Sequence, residues 1–136
     1  MSSAADLALA DPASAEPGHL TDRWILFQLT WSAAVLFHLA GNPTLAPQWG
    51  RAALGAAAVI AVLRPRSPLA AAPLAVAVLV NVWLEAPLLG NHWLLHGFVA
   101  VLVLASAAAG RWDPGASMTR LLAPARFTLL AFYAFA

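Results

Sequence analysis

Residues 67–110 read SPLAAAPLAVAVLVNVWLEAPLLGNHWLLHGFVAVLVLASAAAG, and Glu85 is the one formally charged side chain among them. It divides the stretch into two uncharged runs, 67–84 and 86–110. Each approaches or exceeds the ~18 apolar residues that mark a candidate transmembrane helix. Only helices and closed barrels can cross a bilayer, where no water satisfies the backbone. These runs are too long and too continuously apolar for barrel strands, so they read as helices.

Working outward, residues 24–50 form a third uncharged run. Residues 52–63 are shorter, and span only if Gln48, Trp49 and a snorkelling Arg51 belong to them. The whole chain is 62% hydrophobic and 10% charged, whereas a soluble domain carries about 25% charged residues. So few charges cannot cover a surface in water; lipid is the expected solvent. The expectation is an all-α, polytopic transmembrane bundle of about five hydrophobic helices, near 23–41, 48–64, 68–89, 92–110 and 119–136. Pro and Gly mark the joints: Gly41, Pro43 and Pro47; Pro65 and Pro68; Gly90 with Asn91; Pro114 with Gly115. Gly55 to Ala58 form a small-residue run that permits close helix packing.

Residues 1–21 lack a basic leader and contain Asp6, Asp11, Glu16, Pro12 and Pro17, the composition of a disordered tail rather than a signal peptide. The transmembrane domain is then 22–136. With the N-terminus in the cytoplasm, Arg23, Arg64, Arg66, Arg111 and Arg120 fall inside and Arg51 outside, which satisfies the positive-inside rule. Trp24 and Trp112 would mark the inner interface, Trp49 and Trp93 the outer one. This frame describes a multi-pass protein of a bacterial inner membrane, with the lipid bilayer as its surroundings.

Several chemistries are excluded or unsupported. Cys is absent, which removes disulfides and thiolate metal sites. The basic residues are scattered singly, so no nucleic-acid partner is implied. No phosphate loop, nucleophile elbow or dinucleotide fingerprint occurs.

Polar side chains inside the spans gather toward the outer half. Asn81 and Glu85 are i,i+4 on the third helix, and His92 and His96 are i,i+4 on the fourth. A short joint makes these helices antiparallel neighbours and brings Glu85 within reach of His92. His38 lies at the outer end of the first span. A carboxylate beside an imidazole can orient its tautomer or act as an acid–base pair. Asn91 also suits an N-cap, and His92 an interfacial position. Two histidines one turn apart do not by themselves assign a metal. Arg126 reads as a snorkelling anchor near the start of the fifth span, with phospholipid headgroup contact as its functional variant. Trp31 and Trp83 read as packing or belt aromatics. Gln28 and Thr30 are the few polar residues of the inner half.

Asn91-His92-Trp93, and Arg126 followed by Phe-Thr-Leu-Leu-Ala-Phe-Tyr133, resemble the bacterial HTTM proteins, membrane-domain relatives of vitamin K-dependent gamma-carboxylase. The Glu85-Ala-Pro87 preceding Asn91 is similar to the same pattern. The resemblance covers roughly residues 23–136 and carries over Asn91, His92, Trp93, Arg126 and Tyr133 as matching positions. In that family the stretch resembling Phe132 to Ala136 continues into a Lys-Leu-Asn motif whose lysine is the implicated base. This chain contains no Lys, so the catalytic assignment does not carry over. From Thr119 a helix to Ala136 rises only ~25 Å, short of a ~30 Å hydrocarbon core. The expectation is a fragment of a longer protein, or an end that a partner subunit receives.

Three functional readings follow. The chain is the N-terminal part of an HTTM-like protein, not catalytically competent alone; or a small non-catalytic subunit of a membrane complex or homo-oligomer; or a bundle binding a quinone or an ion through its outer Glu/His cluster. The sequence assigns no substrate and no cofactor.

Overall fold

Pro17 opens the first helix at a position where its missing N–H costs nothing, because first-turn donors have no intrahelical partner. The structure, a computed structural model, describes residues 17–41, 48–85 and 91–135, without the side chains of Pro17, Asn91, His92 and Phe135. Five helices follow in order: α1 (Pro17–Gly41), α2 (Gln48–Leu63), α3 (Pro68–Glu85), α4 (Asn91–Ala109) and α5 (Pro114–Phe135). No strand occurs among the described residues, so the chain is all-α.

The helices pack in a closed cycle, α1 on α2, α2 on α3, α3 on α4, α4 on α5 and α5 back on α1. Side-chain contacts fix their directions. Arg51, near the start of α2, donates from Nη2 to the Leu39 carbonyl near the end of α1 at 3.1 Å. Gln28 on α1 reaches the far end of α2, donating from Nε2 to the Ala61 carbonyl at 2.9 Å and the Arg64 carbonyl at 3.3 Å. Phe98 in the first half of α4 meets Phe132 near the end of α5 at 6.5 Å between ring centroids. Consecutive helices are therefore antiparallel, while α1 and α5, both opening at one end, run parallel. Arg23, Arg64, Arg66, Arg111 and Arg120 gather toward that end, and Arg51 lies at the other.

The α4–α5 connection differs from the sequence reading, which placed the joint at Pro114 and Gly115. Those residues form the first turn of α5, because Asp113 caps it: Oδ1 accepts the Ala116 N–H at 2.7 Å. The turn lies upstream as a Schellman motif. Trp112 N–H bonds the Ala107 carbonyl at 2.8 Å and Arg111 N–H the Ala108 carbonyl at 3.0 Å. Arg111 and Trp112 both take positive φ, 54° and 63°. Gly110 is needed where the helices meet, since a Cβ there would lie 2.7 Å from the Ser117 backbone nitrogen. Likewise α1 begins at Pro17, taking the last residues of the stretch read as tail; residues 1–16 lie outside the described residues.

The interior is built from one face of every helix. Trp24, Trp31 and Val35 of α1 meet Leu54, Ala57, Ala58 and Ala61 of α2, Leu74, Ala75 and Val78 of α3, Trp93, Ala100 and Val103 of α4, and Leu121 of α5. Trp24 and Trp93 are buried because they share the inward stripe of their helices, whereas Trp49 and Trp112 are exposed. Large apolar side chains also cover the outside of every helix, among them Phe37, Leu63, Trp83, Phe98 and Phe127. Two helical stretches, Gly18–Gly41 and Pro68–Glu85, are long and apolar enough to cross a membrane; Gln48–Leu63 and Trp93–Ala109 are apolar but shorter.

Candidate functional site

α1 carries an inward stripe at three- and four-residue spacing: Trp24, Gln28, Trp31, Ser32, Val35 and His38. All but His38 are buried. Near the closed end of the α3–α4 pair, this stripe meets Trp93 and His96 of α4. The His38 ring stands edge-on to Trp93, centroids 4.5 Å apart at 75°. Trp93 and His96 are 5.7 Å apart, and His38 and His96 6.4 Å. Trp31 Nε1 donates to His96 Nδ1 at 3.2 Å. An indole N–H can only donate, so His96 accepts at Nδ1 and its neutral ring carries hydrogen at Nε2.

Beside this cluster a cleft of about 390 Å³ opens between α1, α4 and α5. Its walls are apolar, from residues such as Phe27, Val99, Leu121 and Leu122, and its polar groups are Thr30, Trp31, His96 and Arg126. The Thr30 hydroxyl is committed to its own helix, donating to the Leu26 and Phe27 carbonyls.

The residues singled out in the sequence separate into three groups. His38 and His96 come together, with Trp93 between them. Arg126 lines the adjoining cleft. The others lie elsewhere. Asn81, 1% exposed, faces α2, donating from Nδ2 to the Ala77 carbonyl at 2.7 Å and the Gly50 carbonyl at 3.4 Å. Tyr133 is 82% exposed on the outside of α5. Glu85 closes α3 with Oε1 buried and without a hydrogen-bond partner among the described residues. Asn91 and His92 open α4, but their side chains, and so the expected Glu85–His92 pair, lie outside the described residues. Among the described residues no group of three or more His, Asp or Glu could hold a metal.

Trp31, Gln28 and Ser32 are what the sequence reading missed. Composition alone reads Trp31 as a packing or belt aromatic and Gln28 as one of the few polar residues of the inner half. Their spacing on α1 was the available signal, since 24, 28, 31, 35 and 38 fall on one helical face. Trp24 Nε1, Gln28 Oε1, Ser32 Oγ and Trp93 Nε1 are buried without hydrogen-bond partners among the described residues. Polar atoms thus line the interior while apolar side chains cover the exterior.

No family model matches the chain, and neither a curated protein nor a solved structure matches it.

Proposed function

We propose that this chain is a five-span integral protein of the cell membrane, N-terminus cytoplasmic, that binds a lipid-soluble ligand rather than catalysing a reaction alone. The observation that carries the reading is the inverted distribution of polarity. Gln28, Ser32, Asn81 and the His96 cluster are held inside or between helices, whereas Phe37, Trp83, Leu130 and Tyr133 face outward. A protein in water exposes few contiguous apolar surfaces of this extent; in lipid they are the expected exterior. The gathering of arginines at one end supports the cytoplasmic placement of that end. The His38–Trp93–His96 cluster then sits in the outer half, and its cleft has the size and apolar lining of a ligand site. Trp93 and Arg126, two of the positions that resemble HTTM proteins, border this region, which supports that relationship as part of the proposal.

The test uses the absence of native Cys. Single cysteines at Gln48 and Arg66 should be labelled from opposite sides of the membrane, Gln48→Cys by an impermeant maleimide in intact cells and Arg66→Cys only after permeabilisation. The chain should resist carbonate extraction. Release by carbonate, or labelling of both from one side, rejects the five-span reading.

A second reading, a non-catalytic subunit of a membrane complex, is supported by the groove of about 730 Å³ between α2 and α3, floored by Gly50, Ala53, Ala57, Ala72 and Ala77. Small residues let another helix approach closely. This reading expects a partner at fixed stoichiometry in mild detergent; a chain that purifies alone and stays intact rejects it.

A further inference from the structure

The turn between α2 and α3 reads Arg64-Pro65-Arg66-Ser67. The Ser67 N–H closes it on the Arg64 carbonyl at 3.0 Å, with Pro65 at the second position, where its fixed φ suits a β-turn. The same carbonyl accepts from Gln28 Nε2 at 3.3 Å, so α1 also holds the turn in place. Both arginines are exposed, and neither side chain has an ion pair or hydrogen bond among the described residues. Across α2, the turn and α3 the one acidic residue is Glu85, at the far end of α3. Nothing on these elements neutralises the two guanidinium groups locally.

The turn stands at the mouth of the groove between α2 and α3. The groove runs from Ile60 and Leu69, the lining residues nearest the turn, to Gly50 and Asn81. There Asn81 Nδ2 bonds the Gly50 carbonyl at 3.4 Å and ties the helices together. From Leu69 to Asn81 α3 rises ~18 Å, close to the depth of one leaflet of a ~30 Å hydrocarbon core. No Asp, Glu, Lys or Arg lines the groove, and Ile60, Leu69 and Val76 are exposed along it.

We infer that this groove binds an anionic phospholipid of the inner leaflet, its phosphate held by Arg64 and Arg66 and its acyl chain laid along Ile60, Leu69 and Val76. Charge complementarity selects the occupant. An apolar wall alone would take any acyl chain or helix, but two unneutralised guanidinium groups at its headgroup end call for an anion there. A guanidinium fork matches phosphate oxygens two at a time. A soluble polyanion would leave the exposed apolar wall uncovered, and a protein helix would leave the charges unmatched. The volume of about 730 Å³ lies within the range of ligand sites. This inference rests on the membrane-embedded reading above, with the arginine-rich end inside, and it competes with a partner helix for the same groove.

The experiment uses the full chain in a non-ionic detergent, with native mass spectrometry following bound dioleoyl phosphatidylglycerol and, in parallel, dioleoyl phosphatidylcholine. The two probes share their chains and differ in net charge. Two arginines at the headgroup predict that phosphatidylglycerol binds roughly tenfold or more tightly. Arg64→Gln combined with Arg66→Gln should erase that preference and leave phosphatidylcholine unchanged, whereas Lys at both positions should keep most of it. Arg120→Gln, at the same end of the bundle but on α5, should leave the preference intact. Ala56→Phe, which fills the groove from an exposed position, should weaken both lipids. Equal affinity for the two lipids, a preference that survives the paired Gln substitutions, or one that Arg120→Gln removes as completely overturns the inference. So does glycerol 3-phosphate competing as well as phosphatidylglycerol, which would assign the anion without the chain. A co-purifying protein helix that Ala56→Phe displaces would overturn it too. Carbonate extraction is scored separately: an embedded chain with no preference rejects the lipid site alone, and a released chain rejects the membrane reading beneath it.

Discussion

Trp31 and His96, 65 residues apart in sequence, are joined by a hydrogen bond from indole Nε1 to imidazole Nδ1 at 3.2 Å. The bond crosses the middle of the bundle between α1 and α4 and fixes which imidazole nitrogen carries hydrogen. Trp31 also stacks on Phe27, centroids 6.0 Å apart at 19°, so packing holds the donor in place.

Replacing Trp31 by Phe keeps an aromatic ring and deletes the donor. The expected loss is about 1 kcal/mol, the ordinary net worth of such a bond. The more specific readout is nitrogen NMR of His96: a single Nε2–H tautomer in the parent, and a mixture in Trp31→Phe. An unchanged tautomer in the variant rules out the proposed role of the indole.

Gly50 and Asn81 offer a second test. A Cβ at Gly50 would lie 2.9 Å from Asn81 Oδ1, so Gly50→Ala should destabilise by about 1–3 kcal/mol, as overpacking does. The obstacle is a side chain, so the cost should largely disappear in an Asn81→Ala background. Thermal unfolding in detergent of both singles and the double closes the cycle. Additive effects would show that the two residues do not meet. Gly55→Ala is the control: its nearest neighbour is Leu39 Cδ1 at 4.0 Å, and it should be neutral or stabilising by up to ~1 kcal/mol.

The α4–α5 turn behaves differently, because backbone is the obstacle. Gly110→Ala should cost roughly 2–4 kcal/mol, and Ser117→Ala should not rescue it, since the Ser117 nitrogen remains 2.7 Å from the new Cβ. One position further on, Arg111→Gly should stabilise by about 1 kcal/mol, relieving a side chain held at φ 54°. A destabilised Arg111→Gly protein would argue against the left-handed conformation.

Gln28 ties α1 to the carboxyl end of α2 through the Ala61 and Arg64 carbonyls. Gln28→Met preserves volume but removes the donor to a buried helix end, at an expected cost of about 1–3 kcal/mol. The loss should show in hydrogen exchange as earlier opening of the last turn of α2. Protection equal to the parent there would mean that the bond contributes nothing.

Much of the architecture was legible beforehand because it depends on local composition. Uncharged runs bounded by Pro and Gly gave five helices whose lengths differ from expectation chiefly at the starts of α1 and α5. Both begin early for the same reason: Pro17 and Pro114 were read as breakers, while a proline in the first turn of a helix is tolerated. The candidate site was only half legible. His38 and His96 were placed at one end by alternation of helix direction, which sequence can supply. Asn81 was grouped with Glu85 by i,i+4 spacing, yet its side chain serves α2, because rotation about the α3 axis is set by what packs against it.

The sequence by itself determined that this chain is helical, how many helices it has and which residues lie toward each end. Those follow from apolar run length, helix-breaking residues and the obligatory reversal at short joints. Tertiary structure alone decided that α1 closes a ring with α5, that Trp31 reaches His96, and that Arg126 and His96 share one cleft. On α2 to α5, Ala, Leu and Val appear on every side, so periodicity leaves the inward face undefined. Only packing of each helix against its neighbours in the ring selects it.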